Sequence, residues 1–262
     1  MSSVDLMKLI QRNVLSLEPY HVEDNDCEIK LHANENPFPP SKELLDLFSA
    51  SLQKLQLNRY PDPDSKALKD SIANRLDIKT ERLVIGNGSD EIILFLLQVF
   101  CQEGDTIIFP EPTFAMYSII AQSLSIKSAS ISLDSQWNFN ADVLLRSAEE
   151  NNSRIIFLSY PNNPTGNCFS DIQVQKVIES FQGIVVIDEA YHDFSRKSFI
   201  NQIEEHNNLV VLRSLSKIGL AALRVGFGVA GPLVINEINK VRLPYNSNTI
   251  SQTFAEHLIT NF

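Results

Sequence analysis

Short apolar runs alternate with amphipathic segments along most of the chain. Most of the runs are continuously apolar, which is typical of strands that are buried on both faces, whereas the extended run at residues 126–133 also contains polar residues. They lie at residues 83–85, 106–109, 126–133, 154–160, 184–187, 209–212 and 225–230. Segments with apolar residues at helical spacing separate them, at residues 91–100, 113–123, 141–150 and 170–181. The alternation predicts an α/β fold with a mainly parallel sheet between layers of helices.

The segments outside this alternation are predicted less uniformly. Residues 6–17 predict a short amphipathic helix, and residues 31–40 contain three prolines that exclude regular structure. Such a segment is either a linker or the wall of a site. Helices are predicted from Ser41, which would cap its helix, to about residue 55, and from Asp64 onward. The chain stops inside a last predicted helix at residues 248–262 without a stop signal, so we expect a truncated protein.

Composition narrows the class of protein. The 262 residues suffice for one large domain, and the net charge of −10 disfavours a general nucleic-acid or anionic-membrane binder. Three widely spaced cysteines, Cys27, Cys101 and Cys168, suggest neither a disulfide framework nor a zinc site. No run approaches membrane-spanning length, and the N-terminus lacks a signal-type apolar core. We therefore expect a cytoplasmic protein that binds no metal.

Unusual polar groups come directly after several of the predicted strands, where ligands collect in α/β sheets. The turn at residues 86–90, Gly-Asn-Gly-Ser-Asp, leads into a helix and suits a phosphate, although Ser89 or Asp90 could be only a helix cap. Asp188 ends an apolar strand, so its carboxylate needs a partner. Lys217 lies among small and apolar residues, where it is either a solvated surface lysine or a desolvated amine that acts as a nucleophile.

Three motifs together make a specific resemblance. They are Asn-Asn-Pro-Thr-Gly at 162–166, Asp-Glu-Ala-Tyr at 188–191 and Ser-Leu-Ser-Lys-x-Gly-Leu-Ala-x-Leu-Arg at 214–224. In this order they resemble the fold-type I, class II aminotransferases, which use pyridoxal phosphate (PLP). His-Ala-Asn-Glu-Asn-Pro at 32–37, Arg-Tyr-Pro-Asp at 59–62 and Gly-Asn-Gly-Ser-Asp-Glu at 86–91 resemble the histidinol-phosphate aminotransferase subfamily in particular.

The resemblance implies a role for each matching residue. Lys217 would bind PLP covalently and, once free, move a proton at the substrate's Cα, while Asp188 would keep the cofactor's ring nitrogen protonated. Asn163 and Tyr191 would bind the ring oxygen O3′, and Tyr117 would stack on the ring, with Phe114 as the rival. The phosphate would be bound by Ser89, the backbone at Asp90, Ser214, Ser216 and Arg224, and by Tyr60 of the neighbouring subunit in a homodimer with shared sites. Tyr20, Asn34 and Glu35, with Asn36, would line the substrate pocket.

The family pattern also implies a domain division and an activity. Residues 1–40 would form an N-terminal arm and part of a small domain, residues 41–262 the large PLP-binding domain, and most of the small domain would be absent. The activity would be transamination between L-histidinol phosphate and 2-oxoglutarate. Alternatives are an aromatic amino-acid aminotransferase, a PLP-dependent threonine-phosphate decarboxylase, or an inactive dimerisation fragment. A Rossmann dehydrogenase is disfavoured because Glu91 stands where its third turn glycine belongs.

One departure from the family concerns the loop after Lys217. The family usually has one more residue there, whereas Ile218 alone separates Lys217 from Gly219. A one-residue deletion in a helical turn rotates the subsequent residues by about 100°. The motif therefore determines the position of Arg224 less closely than that of Lys217, although a tighter loop would absorb the change.

Overall fold

The computed structural model describes residues 4–19 and 28–261, and seven strands of this part form one sheet in the order β1-β7-β6-β5-β4-β2-β3. Strand β7 runs antiparallel to both of its neighbours, and the other pairs are parallel. The mainly parallel sheet predicted from the sequence is confirmed. The strands are β1 Leu83–Asn87, β2 Thr106–Glu111, β3 Lys127–Ser132, β4 Ser153–Ser159, β5 Ile184–Asp188, β6 Leu209–Ser214 and β7 Val225–Ala230.

Helices cover both faces of this sheet and produce two apolar clusters. Successive strand residues alternate between the clusters, as Ile155 and Ile156 do on β4. Burial on both faces explains the continuously apolar strands, since each fully buried side chain of this size contributes about 1.5–3 kcal/mol. The helices are α1 Arg12–Leu15, α2 Lys42–Leu52, α3 Lys66–Leu76, α4 Ser89–Phe100, α5 Met116–Ser123, α6 Ala141–Glu150, α7 Asp171–Ser180, α8 His192–Ser195, α9 Pro232–Val241 and α10 Thr249–Asn261.

Side-chain caps set the ends of several helices. The Ser41 hydroxyl accepts a hydrogen bond from the Leu44 N–H at 3.2 Å, as its predicted N-cap position requires. Helix α3 begins two residues later than the sequence predicts, because the Asp62 carboxylate accepts from the N–H groups of Asp64 and Lys66 and holds this stretch in a turn. The predicted start at Asp64 is therefore wrong by half a helical turn.

The N-terminal segment does not form the helix predicted at residues 6–17. It contains one 3₁₀ turn, Leu6–Leu9, and the single turn α1. Most of its apolar side chains are exposed, Leu6 by 69% and Leu9 by 71%, so the predicted apolar stripe is not buried, although Asn13 anchors the segment to the end of α5. None of the helices in the described ranges is both long enough and apolar enough to cross a membrane.

Candidate active site

The polar strand ends singled out from the sequence meet at one edge of the sheet. Asp188 of β5 lies opposite Ser159 of β4, and Ser214 of β6 lies opposite Gly226 of β7. Because β7 runs against its neighbours, its beginning lies at the edge where the other strands end. Arg224, which precedes β7, therefore joins the carboxyl ends of β4, β5 and β6. The arrangement places acidic, basic and hydroxyl groups from distant parts of the chain together.

Asp188 is a deeply buried charge at this edge, with only 3% of its surface exposed. Its Oδ2 accepts a hydrogen bond from the Tyr117 hydroxyl at 2.8 Å, and its Oδ1 accepts from the Ala190 N–H at 3.1 Å. Burial raises the pKa of Asp188 to about 6, and these two hydrogen bonds oppose the rise. Two hydrogen bonds offset the cost of burying this carboxylate only in part. Asp188 is therefore suited to bind a cationic group of a ligand.

Tyr117 does not occupy the position that the sequence predicts for a stacking residue. Its ring is fully buried and stacks on Phe157, with ring centroids 4.7 Å apart. A ring enclosed in this way has no face for a cofactor, so its predicted stacking role is not supported. Phe114 contacts Tyr117 edge-on at 5.5 Å and is only partly buried, which makes it the better candidate.

Lys217 lies in a 3₁₀ turn, Ser216–Ile218, that directly follows β6 and Leu215. Its Nζ donates a hydrogen bond to the Ala33 carbonyl at 2.9 Å and stands 5.6 Å from the centre of the Tyr191 ring. Burial lowers the pKa of Lys217, and the lowering prevails although the nearby Asp90, Glu35 and Asp188 carboxylates oppose it; Arg224 adds to it. A lower pKa leaves more of the amine neutral and nucleophilic, which favours the second of the two interpretations offered by the sequence.

Two glycines let Arg224 and the start of α4 approach each other. A Cβ on Gly88, whose φ is +83°, would lie 2.6 Å from an Arg224 guanidinium nitrogen, and a Cβ on Gly226 would lie 2.3 Å from the Ser89 nitrogen. The N–H groups of the first turn of α4, the Ser89 hydroxyl and the Arg224 guanidinium therefore lie close together, because Gly88 and Gly226 carry no side chain between them. This donor set fits a phosphate dianion. Asp90 accepts from Arg224 at 3.1 Å and orients it.

The short loop after Lys217 does not displace Arg224. Gly219 adopts φ +110°, and a second 3₁₀ turn, Ala221–Leu223, completes the connection to β7. The Leu215 N–H donates to the Val225 carbonyl at 3.0 Å and closes the loop at its base. A tighter loop therefore absorbs the missing residue, as the sequence analysis allowed.

Comparison with known proteins assigns most of the chain to one protein family. The family model described as aminotransferase class I and II matches residues 27–261. The chain belongs to this family. It is 39% identical to histidinol-phosphate aminotransferase 2 of Nitrosococcus oceani over 94% of this chain and 69% of that protein, and 39% identical to the Flavobacterium johnsoniae histidinol-phosphate aminotransferase over 98% and 72%.

Two solved structures show the fold of the aminotransferase. One is the histidinol-phosphate aminotransferase of Sinorhizobium meliloti, in complex with pyridoxal-5′-phosphate. Its TM-score is 0.81 at 20% identity, over 87% of this chain and 63% of that one. The other is an aspartate aminotransferase mutant of Thermus thermophilus, with a TM-score of 0.83 at 17% identity, over 96% and 71%. The predicted fold class, the enzyme class and the PLP cofactor of the family are confirmed.

A cavity of about 810 Å³ lies beside Lys217 in this aminotransferase. The arm residues predicted to line a substrate pocket, Asn34, Glu35 and Asn36, form one wall, and Asn163 and Tyr191 lie on its lining. The Asn34 amide donates to the Tyr191 hydroxyl at 2.9 Å and links the arm to the strand ends. Burial raises the pKa of Tyr191, so the phenol keeps its proton.

The remaining predicted site residues have different surroundings. The Ser214 hydroxyl accepts from the Ser216 N–H at 3.1 Å, and both serines are buried beneath Lys217. Tyr60 is 82% exposed and stacks on Tyr245, so a role in a neighbouring subunit stays a prediction. Tyr20 lies outside the described residues, and the proposed domain division also stays a prediction. In the described ranges no cluster of side chains could hold a metal ion.

Two supporting residues were not identified from the sequence. The Glu91 carboxylate accepts from the Asn87 N–H at 2.7 Å and from the Asn246 amide at 2.6 Å, and so holds the phosphate-type turn before α4. Asn162 is 1% exposed and donates to the Pro112 carbonyl at 3.0 Å, which fixes the turn after β4. Both residues could have been found from the sequence, because each belongs to a motif in which other residues were assigned a role: Glu91 to the motif at 86–91 and Asn162 to the motif at 162–166.

Proposed function

We propose that this protein catalyses PLP-dependent transfer of an amino group between L-histidinol phosphate and 2-oxoglutarate. The products are imidazole-acetol phosphate and glutamate, and the reaction belongs to histidine biosynthesis. The observation that carries the proposal is the convergence of Lys217, Asp188 and the Arg224 cradle at one sheet edge. The names of the relatives at 34–39% identity support the choice of substrate.

Different residues at the sheet edge would bind different parts of PLP. When bound, the cofactor supplies an aldehyde that carries the amino group and an electron sink for the substrate's Cα. The first turn of α4, with Ser89, Ser216 and Arg224, would bind its phosphate. Asp188 would accept from the ring nitrogen and keep a proton there. Tyr191 and Asn163 would bind the ring oxygen, with Phe114 packing against the ring in place of Tyr117.

Lys217 has the central chemical role in the proposal. Its amine would hold the cofactor and, when free, would accept the proton from the substrate's Cα and deliver it to the cofactor's C4′. The Ala33 carbonyl is 2.9 Å from this amine and offers it an acceptor when it is free. The arm that carries Ala33 forms one wall of the cavity beside this amine.

The proposal extends to assembly and location. We propose a homodimer in which Tyr60 reaches the site of the neighbouring subunit. The exposure of Tyr60 and of its stacking partner Tyr245 supports this, since both rings are available to a second chain. We also propose a cytoplasmic location, which the free cysteines Cys101 and Cys168 favour.

A visible absorption spectrum of the protein with added PLP tests the function. We expect bound cofactor to produce a visible band that L-histidinol phosphate bleaches and that 2-oxoglutarate restores. Lys217→Ala should abolish both the band and the transamination, because Lys217 follows β6 at the edge that carries Asp188 and Arg224, whereas Lys30, the other described lysine on the cavity lining, belongs to the N-terminal arm. Lys176→Ala, at a surface lysine paired with Asp142, is the matched control and should behave like the wild type.

Other donors distinguish the alternatives. Bleaching by phenylalanine or tyrosine but not by L-histidinol phosphate would make the protein an aromatic aminotransferase. Release of carbon dioxide from threonine phosphate would indicate a decarboxylase, the activity named for a structural neighbour from Porphyromonas gingivalis with a TM-score of 0.72. No band in the folded protein would overturn the proposal in favour of a non-catalytic fragment.

A further inference from the structure

We propose that Tyr117 is a positioning residue for Asp188. Its buried hydroxyl donates to Oδ2 of Asp188 at 2.8 Å and holds this carboxylate ionised, and in one orientation, as the acceptor for the cofactor's protonated ring nitrogen. The inference rests on the proposed function, because it assigns the ring nitrogen as the partner of Asp188. It gives Tyr117 a role different from the stacking role predicted from the sequence.

The packing around Tyr117 directs its hydroxyl to Asp188, with the Ser159 hydroxyl of β4 as its second polar neighbour. The ring is 0% exposed and stacks on Phe157 at 4.7 Å, while Phe109 and Phe114 contact it at 6.0 and 5.5 Å. These three aromatic rings come from β4, β2 and the turn before α5, so they fix the Tyr117 ring from separate elements. A ring held in this way keeps the distance between its hydroxyl and Asp188 constant without any cofactor.

The direction of the proton in this hydrogen bond is set by the surroundings. Burial and the adjacent Asp188 raise the pKa of Tyr117 well above its ordinary value, so the phenol remains the donor. Asp188 has one other donor, the Ala190 N–H, which bonds the opposite oxygen. The Tyr117 hydroxyl is therefore half of the hydrogen bonding that stabilises the carboxylate against its burial.

Several other ionisable groups act on Asp188 electrostatically. They are Asp90 on α4, Glu189 and Tyr191 after β5, and Lys217 after β6. None of them donates a hydrogen bond to the Asp188 carboxylate in the described structure. Removal of the Tyr117 hydroxyl leaves all four groups in place, so a change in the titration of Asp188 would report the hydrogen bond itself.

The test is a titration of the cofactor-free protein. Aspartate labelled with ¹³C at its carboxyl carbon is followed by NMR from pH 4 to 9, and Asp188→Asn identifies the Asp188 signal. We expect Tyr117→Phe to move the midpoint from about 6 in the wild type to about pH 7 or above, a tenfold or greater change in proton affinity. Tyr160→Phe is the matched control, because Tyr160 is also fully buried and donates to a carboxylate, that of Asp171, away from the site.

The outcomes separate this inference from the proposed function. An unchanged Asp188 midpoint in Tyr117→Phe would overturn the inference, even if the wild type binds PLP and transaminates. Failure of the wild type to bind PLP would overturn the proposed function, while a moved midpoint would still support the coupling of Tyr117 to Asp188. With cofactor bound, we expect Tyr117→Phe to lower kcat about tenfold with little change in KM, since the hydroxyl does not reach the substrate cavity.

A second replacement keeps the test decisive if Tyr117→Phe does not fold. Site-specific 3-fluorotyrosine at position 117 preserves the ring and its packing but makes the phenol a stronger donor. We expect it to lower the Asp188 midpoint below that of the wild type. A midpoint equal to or above that of the wild type would overturn the inference.

Discussion

Two neighbouring carboxylates at the end of β5 are buried alike and are partnered differently. Asp188 is 3% exposed and Glu189 is 1% exposed. Glu189 forms an ion pair with Arg213, whose guanidinium donates to it at 3.0 and 3.1 Å. Asp188 has no arginine or lysine at ion-pair distance in the described ranges and relies on the Tyr117 hydroxyl and one backbone N–H.

The difference separates a charge that belongs to the fold from one that is available to a ligand. Besides Arg213, the Phe199 N–H and the Ser198 hydroxyl donate to Glu189, at 2.7 and 2.8 Å, so its carboxylate oxygens are fully used. A buried charge with a complete set of partners links the segments that carry those partners. The desolvation cost of the charge is then offset by groups of the same chain. Asp188 lacks that compensation, and this makes a cationic ligand favourable beside it.

The largest expected effect comes from Asp188→Asn. We expect kcat for transamination to fall on the order of 10²–10⁴-fold, because an amide cannot keep the ring nitrogen protonated. The cofactor-free protein should be no less stable at pH 7, since the mutation removes a buried charge whose pKa is raised to about 6. Steady-state rates and urea unfolding at pH 7 measure the two effects. Near-normal turnover would contradict the role given to Asp188.

For Arg213, the ion-pair partner of Glu189, we expect a mutation to lower stability. Arg213→Met should lower the free energy of unfolding by about 3–5 kcal/mol, because it leaves the Glu189 charge buried and unpaired. Urea unfolding of the cofactor-free protein at pH 7 measures this loss. The double variant Arg213→Met with Glu189→Leu should recover much of it. A loss that is equal in the single and double variants would show that packing, not the ion pair, is responsible.

A smaller effect is expected from Ser198→Ala. The Ser198 hydroxyl donates to Glu189 at 2.8 Å and accepts from Arg213 at 2.9 Å, so its loss weakens the pair without breaking it. We expect the free energy of unfolding to fall by about 1–2 kcal/mol, with kcat unchanged. Ser180→Ala, on the exposed end of α7, is the matched control. A fall in kcat without a fall in stability would link the Glu189 cluster to catalysis.

The sequence predicted the sheet more closely than the site. The predicted bounds of β7 and α6 agree with the structure, because each is an apolar or amphipathic run enclosed by turn residues. Helix α9 was missed although Pro232 at its start and the buried Val234 and Ile238 at helical spacing are visible in the sequence. Its signal was therefore present in the pattern of apolar residues and did not depend on tertiary contacts.

The error over Tyr117 has a different origin. Phe114 and Tyr117 are both aromatic and lie three residues apart, so local sequence gives no reason to prefer either as the residue in the core. The choice depends on Phe157 and Asp188, which lie on strands far away in the chain and become neighbours only when the sheet forms. Contacts of this kind cannot be obtained from spacing along the sequence.

The antiparallel direction of β7 has a consequence for how the chain can vary. Lys217 and Arg224 leave from two adjacent strands that are joined at the base of their loop by the bond from Leu215 to Val225. The loop between Lys217 and Arg224 is therefore closed at its base, and the two strand ends are held together by a hydrogen bond that does not depend on the loop's length. A change in the length of this loop therefore need not move the strand ends that carry Lys217 and Arg224.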